Sequence, residues 1–137
     1  MVQAGEAAEI RVASELMELG YPVSKPLGDN EPYDLIADFT GDLIKVQVKR
    51  AHNRQHNSVG ANLYKHSSES DKSQGKEQYR ASEVDAFALV NDEIYWVWFD
   101  ESPDSRLTIS LKDKDEVRPQ DASRMRFAED FKLQNRL

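Results

Sequence analysis

The stretch "PYDLIADFTGDLIKVQVKR", residues 32–50, constrains this chain more than any other. Its apolar and polar residues alternate on either side of "TGD", a tight-turn signal, so residues 33–39 and 43–50 read as the two strands of a β-hairpin. Successive side chains on a strand point to opposite faces. In "LIKVQVKR", Ile44, Val46 and Val48 therefore share one face, which belongs on the core. Lys45, Gln47 and Lys49 share the other. A turn at 40–42 pairs Phe39 with about Leu43 and sets Asp34 opposite Val48, so Asp34, Gln47 and Lys49 come close. A carboxylate, an amide oxygen and an ammonium stand where valines would fold as well.

The elements around the hairpin set its context. Residues 3–19 read as a helix with Ala8, Val12, Leu16 and Leu19 as an apolar stripe, ended by Gly20 at the C′ position. "YPVS" starts an extended segment. Residues 51–76 are polar and read as a long basic loop, with one short strand possible at "ANLYK". "DAFALVN" (85–91) and "IYWVWF" (94–99) form a second hairpin, and "RLTISL" (106–111) a further strand. Asp121 is placed to cap a closing helix, "ASRMRFAEDFKLQ", whose Met125, Ala128 and Phe131 face the core. With no repeat and no boundary, the 137 residues read as one α/β domain, a central mixed β-sheet flanked by helices.

Charge is unevenly spread. The chain carries −7 overall, an average that by itself speaks against phosphate binding. Yet residues 44–80 hold eight of the 18 basic residues and three of the 25 acidic ones, +5 against −12 for the rest. That is the footprint of a local polyanion site on an acidic body. Cysteine is absent, which excludes disulfides and cysteine–zinc sites. No run approaches a membrane span and the N-terminus has no apolar leader, so a cytoplasmic protein without a membrane partner is expected.

An oxygen donor set suits a hard cation such as Mg²⁺, which takes carboxylates, carbonyls and water. Such an ion polarises a phosphoryl oxygen, and a neighbouring lysine stabilises the charge that grows on phosphorus. The hairpin therefore suits phosphodiester hydrolysis, with a further carboxylate available from Glu6 or Glu9 on the first helix. Asp38 shares a face with Asp34 and is a spare ligand or a surface residue. His52 and His56 stand four apart with His66 beyond, but their Asn- and Ser-rich surroundings read as loop rather than as a zinc helix. Trp96 and Trp98 alternate with Tyr95, Val97 and Phe99; one face is core and the other is core or a subunit contact.

The motifs taken in order resemble the PD-(D/E)XK endonuclease superfamily. "AGEAAEIRVASELMELGYPV", "PYDLIAD" and "VQVKR" are similar to archaeal Holliday-junction resolvases, with Gly-x-x-x-Glu on a helix ahead of two strands. The Gln-x-Lys of "VQVKR", the strand in "YRASEVDAFALV" and the aromatic hairpin "EIYWVWFDESP" resemble more closely the small group I intron-type homing endonucleases. The resemblance implies a restriction-endonuclease-like core. It implies Glu9, Asp34 and Gln47 as ligands of Mg²⁺, with Mn²⁺ able to substitute, and Lys49 as the catalytic lysine. Gln47 departs from the usual second acid, which weakens metal binding and leaves Glu9 the more important.

The function expected is metal-dependent cleavage of duplex DNA by a homodimer or homotetramer. Resolution of branched DNA by the same fold, or an inactive DNA-binding module, are the alternatives. Lys45, Arg50, Arg54, Lys65, Lys72 and Lys76 are the expected phosphate contacts, and loop 51–76 is long enough to enter a groove.

Overall fold

The computed structural model describes residues 3–28, 30–66 and 76–137, and of His66 and Lys76 the backbone alone. Helix α1 spans Ala4–Glu18. Ala8, Val12 and Leu16, each four residues on from the last, are its buried stripe. Leu19, expected in that stripe, is instead the C-cap and 38% exposed. The helix ends because Gly20 turns left-handed (φ 97°): its N–H donates to Met17 O while Tyr21 N–H donates to Leu16 O, both at 3.0 Å. This is the paired closure that glycine permits without a Cβ penalty.

Strand β1 (Val23–Ser24) pairs antiparallel with β2 (Leu35–Phe39), which turns into β3 (Asp42–Arg50). Thr40 and Gly41 both have positive φ (55° and 99°), the mark of a two-residue type I′ hairpin loop. Asp38 Oδ1 accepts the Gly41 N–H at 2.8 Å, so this acid serves the turn. The tighter loop shifts the register by one residue from the expectation: Phe39 pairs with Asp42, not Leu43, and the last registered pair is Leu35 with Val46. Strand β3 runs on for nine residues and lies parallel to β8 (Ala86–Val90), which pairs antiparallel with β9 (Ile94–Trp98). The central sheet is thus mixed, in the order β1-β2-β3-β8-β9.

The two faces of this sheet carry separate cores. Val46, Ala86, Ala88 and Trp96 pack under Val12 and Leu16 of α1. Phe87, Leu89, Tyr95 and Val97 face the other way. That second face is covered by a small antiparallel sheet, in the order β10-β5-β4, made of β4 (His52–Arg54), β5 (Ser58–Asn62) and β10 (Arg106–Ser110). Residues 51–66 are therefore largely strand rather than the expected loop, and the short strand allowed at "ANLYK" is met in part by the end of β5. Val59, Ala61 and Leu63 are buried at period two, with Leu107 and Ile109 against them. A further hairpin pairs β6 (Tyr64–His66) with β7 (Lys76–Gln78). Both faces of "IYWVWF" are covered within the chain, which leaves Tyr95 and Val97 in the core rather than at a subunit contact.

The expected closing helix is not continuous. It breaks into α2 (Pro119–Ala122), α3 (Ala128–Phe131) and α4 (Leu133–Arg136). Phe127 forms a parallel bridge with Ser110, and Lys132 an antiparallel bridge with Tyr95, so extended residues interrupt the helical run. Phe127 and Leu133 are the buried anchors, while Met125 stays 36% exposed. Asp121 lies inside α2 and pairs with Arg118 at 2.8 Å rather than capping. Among the described residues, no helix is long and apolar enough to cross a membrane.

Candidate active site

Where the N-terminal half of α1 passes over β3, the molecule holds a cleft of about 430 Å³. Gly5, Ala8 and Glu9 line it from α1, Asp34 from just before β2, and Gln47 and Lys49 from β3. The four residues singled out from the sequence, Glu9, Asp34, Gln47 and Lys49, thus meet in one cavity. Arg50 at the end of β3, His52 and Arg54 on β4, and Asn62 on β5 line it too. Part of the "loop" is a wall of the site, built from the polar face of the small sheet.

Each central side chain has a fixed position. The Asp34 N–H donates to Val46 O at 2.8 Å, and its carboxylate oxygen Oδ2 accepts the Val48 N–H at 2.9 Å. The carboxylate is therefore tied to β3 although the regular ladder ends at Leu35. Burial pushes the Asp34 carboxyl up from its ordinary value; the Val48 hydrogen bond opposes this, the charge of Glu9 adds to it, and Lys49 and Lys25 counter it. Lys49 is pushed down by burial and held up by Asp34. Its ammonium donates to Tyr64 O at 3.3 Å and stands 5.0 Å from the centroid of the Tyr79 ring. Glu9 pairs with Lys25 at 3.1 Å. The lysine side chain of that pair is 61% exposed, and an ion pair of this kind yields readily to a better cation. Gln47 Nε2 makes only a long contact with Val48 O, 3.5 Å, and its Oε1 has no protein donor among the described residues.

Among the described residues, no three His, Cys, Asp or Glu side chains gather to hold a metal. The cleft instead offers two carboxylates, Glu9 and Asp34, and the free amide oxygen of Gln47. Oxygen donors alone, with room for water, are what Mg²⁺ or Mn²⁺ takes and what zinc does not prefer. The residues present fit a hard divalent ion. His52 enters this cleft, whereas His56 sits in the β4–β5 turn with a left-handed backbone (φ 63°).

The expected phosphate contacts divide. Arg50 and Arg54 line the cleft. Lys45 does not: its ammonium donates to Ser82 O at 2.6 Å and its N–H to Asp85 Oδ2 at 2.8 Å, bracing β3 against the approach to β8. Lys65 pairs with Glu83 at 2.7 Å, and Glu77 stands 3.8 Å away. Lys72 and the side chain of Lys76 lie outside the described residues. The sequence reading missed Tyr79, Asn62 and Lys25. Nothing local marks them; a tyrosine beside "QYR" touches Lys49 only after the chain has gone out and back through β6 and β7.

The PD-(D/E)XK endonuclease family matches residues 2–134 of this chain. Among solved structures, a bacterial homing endonuclease, I-Ssp6803I, is similar with a TM-score of 0.70 and 25% sequence identity, over 89% of this chain and 85% of that one. Among curated proteins, none matches.

Proposed function

Because the chain belongs to the PD-(D/E)XK endonuclease family, we propose that it hydrolyses phosphodiester bonds of duplex DNA with Mg²⁺, in the manner of a homing endonuclease. The observation that carries this is the meeting of Glu9, Asp34, Gln47 and Lys49 in one cleft edged by Arg50 and Arg54. Similarity to a bacterial homing endonuclease along most of both chains supports the duplex over the branched substrate.

Glu9, Asp34 and the Gln47 oxygen would hold the ion. When bound, Mg²⁺ (or Mn²⁺ in its place) polarises a phosphoryl oxygen and acidifies water. The work of the chain is to place charge. Lys49, kept beside Asp34 and partly withdrawn from solvent, stabilises the negative charge that develops on the phosphoryl oxygens. The Val48 N–H fixes the direction in which Asp34 presents its carboxylate. Arg50 and Arg54 hold the anionic backbone over the cleft. Each chain supplies one such site, and cutting both strands takes two. The working unit is therefore a homodimer or homotetramer acting on DNA inside a cell, and residues 1–137 make one nuclease domain.

Cleavage of supercoiled plasmid and of a synthetic four-way junction, each in Mg²⁺ and in EDTA, tests the reading. Metal-dependent nicking or linearisation that Lys49→Ala abolishes is the expected result. Preference for the junction would make the chain a resolvase. Equal inertness of wild type and Lys49→Ala, with both still binding DNA, would leave a binding module and end the enzyme reading.

A further inference from the structure

Gly60 lies mid-strand on β5, between its partners His52 on β4 and Thr108 on β10. Its backbone needs no left-handed turn, so conformational freedom does not explain a glycine there. Space does. A Cβ at Gly60 would stand 2.2 Å from Arg54 Nε, 2.7 Å from Arg54 Cδ and 2.9 Å from Leu107 O. The Arg54 side chain lies across the bare α-carbon.

The register shows where this happens. His52, Arg54, Ser58, Gly60 and Asn62 share the face of the small sheet opposite to Val59 and Ala61. Of that face His52, Arg54 and Asn62 line the cleft that holds Glu9, Asp34, Gln47 and Lys49. Gly60 is the gap between them, and Arg54 fills it. The Nε of Arg54 is buried against Gly60, and among the described residues it has no hydrogen-bond partner and no carboxylate pairs with the guanidinium. A buried N–H left unmade is costly, and an unpaired cation is costly again. Unlike Lys65, which has Glu83, this arginine reaches the cleft with its charge unspent. A guanidinium laid over Gly60 offers a planar fork of donors that suits phosphate oxygens better than an ammonium does.

We propose that Arg54 grips the phosphate being cut, through its non-bridging oxygens, and that Gly60 is the positioning residue that lets the guanidinium lie where it can. The proposal rests on the nuclease reading and goes beyond it. A general contact with the DNA backbone would only add affinity. A contact with the scissile phosphate also stabilises the charge that grows there during the reaction.

The experiment measures single-turnover cleavage at saturating DNA in Mg²⁺, and DNA affinity in EDTA. The proteins are wild type, Arg54→Ala, Arg54→Lys, Gly60→Ala and the Arg54→Ala/Gly60→Ala double variant. Arg54→Ala is expected to slow the saturated rate by about 100-fold or more, as loss of one oxyanion donor does, with affinity changed less than about 10-fold. Arg54→Lys should recover only part of the rate. Gly60→Ala should match Arg54→Ala, and the double variant should be no slower than Arg54→Ala alone. A saturated rate within about twofold of wild type in Arg54→Ala overturns the proposal, while the nuclease reading stands as long as wild type cuts and Lys49→Ala does not. A wild type that cuts nothing overturns both. Additive losses in the double variant remove Gly60's role. If Gly60→Ala fails to fold while the double variant folds, the clash is with Arg54, as expected; if neither folds, Leu107 O is the conflict and the Gly60 assignment is wrong.

Discussion

The Lys49 ammonium stands 5.0 Å from the centre of the Tyr79 ring and donates to Tyr64 O at 3.3 Å. Tyr79 itself packs edge-on to Phe87, which is the β8 partner of Gln47. The ring, not the phenol, is the working part. Burial first, then Asp34 and Glu83, push its hydroxyl up to about 12, so it is neutral at pH 7. Tyr79→Phe should therefore cleave within about twofold of wild type. Tyr79→Leu removes a partly desolvated cation–π contact of roughly 1–2 kcal/mol and should lower the single-turnover rate about 5- to 30-fold. Equal losses in the two variants, measured on one DNA substrate, would show that the hydroxyl matters instead.

Asp34 holds a half-buried carboxylate that also feels the charge of Glu9, and both effects raise its protonation in the folded chain. An acid whose folded value is raised costs stability as it ionises, so the cost builds as pH rises from the unfolded value near 3.8 and is complete above the raised folded value. Asp34→Asn keeps an oxygen for the Val48 N–H and removes the charge. In metal-free buffer at pH 7 its Tm should equal or exceed that of wild type. Added Mg²⁺ should raise the Tm of wild type by mass action and leave Asp34→Asn unmoved. Thermal melts with and without the ion read both outcomes; a variant that melts lower than wild type without metal contradicts the electrostatic account.

The periodic parts of this chain were legible. Ala8, Val12 and Leu16 announced α1, and the alternation of Ile44 to Lys49 announced which side of β3 would face the cleft. That Asp34, Gln47 and Lys49 come close followed from the spacing of the hairpin, whereas the choice of Glu9 over Glu6 came from the family resemblance alone. Of the small sheet β10 was legible as "RLTISL", but β4 and β5 were not, because they run only three and five residues and the inward side chains of β5 are just Val59 and Ala61. The register missed by one because Thr40, a β-branched residue, takes a positive φ that nothing in "TGD" demands. Phe127 and Lys132 look helical in sequence but are claimed by Ser110 and Tyr95, strand residues remote in the chain. The Arg54–Gly60 contact has no sequence signal, since it depends on which way a two-strand turn folds back.

On the reading proposed above, Gln47 sets the metal requirement. Its amide oxygen is a weaker ligand for a hard cation than a carboxylate. Gln47→Glu adds a third acid to a cleft already holding Glu9 and Asp34. Without metal this should lower Tm through like-charge repulsion. With metal it should reduce the Mg²⁺ concentration for half-maximal cleavage several-fold. Titration of cleavage against Mg²⁺ checks the second outcome, and an unchanged midpoint would remove Gln47 from the ligand set.

Helix α4 holds the far edge of the central sheet. Arg136, near the end of the chain, donates to Trp96 O at 2.8 Å and through both outer nitrogens to the Glu101 carboxylate, with its guanidinium 4.6 Å from the Phe131 ring. The contact fastens α4 to β9 and so covers an edge that would otherwise offer free backbone groups. Burial raises the Glu101 carboxyl, but the Arg136 hydrogen bond, the Trp98 N–H and the charges of Arg136 and Arg126 outweigh it, and the net shift is down. A depressed acid contributes stability above its unfolded value and loses it as pH falls through the folded one. Glu101→Gln should therefore cost about 1–2 kcal/mol at pH 7, since a charged, partly buried bidentate pair is broken. The gap in Tm between wild type and variant should close as pH drops below the ordinary glutamate value of 4.5 toward the lower folded one. Melts at pH 7 and near pH 3 distinguish this from a packing effect, which would leave the gap the same at both. Cleavage at pH 7 should be unchanged in the folded variant, because Glu101 and Arg136 lie outside the cleft that Lys49 serves.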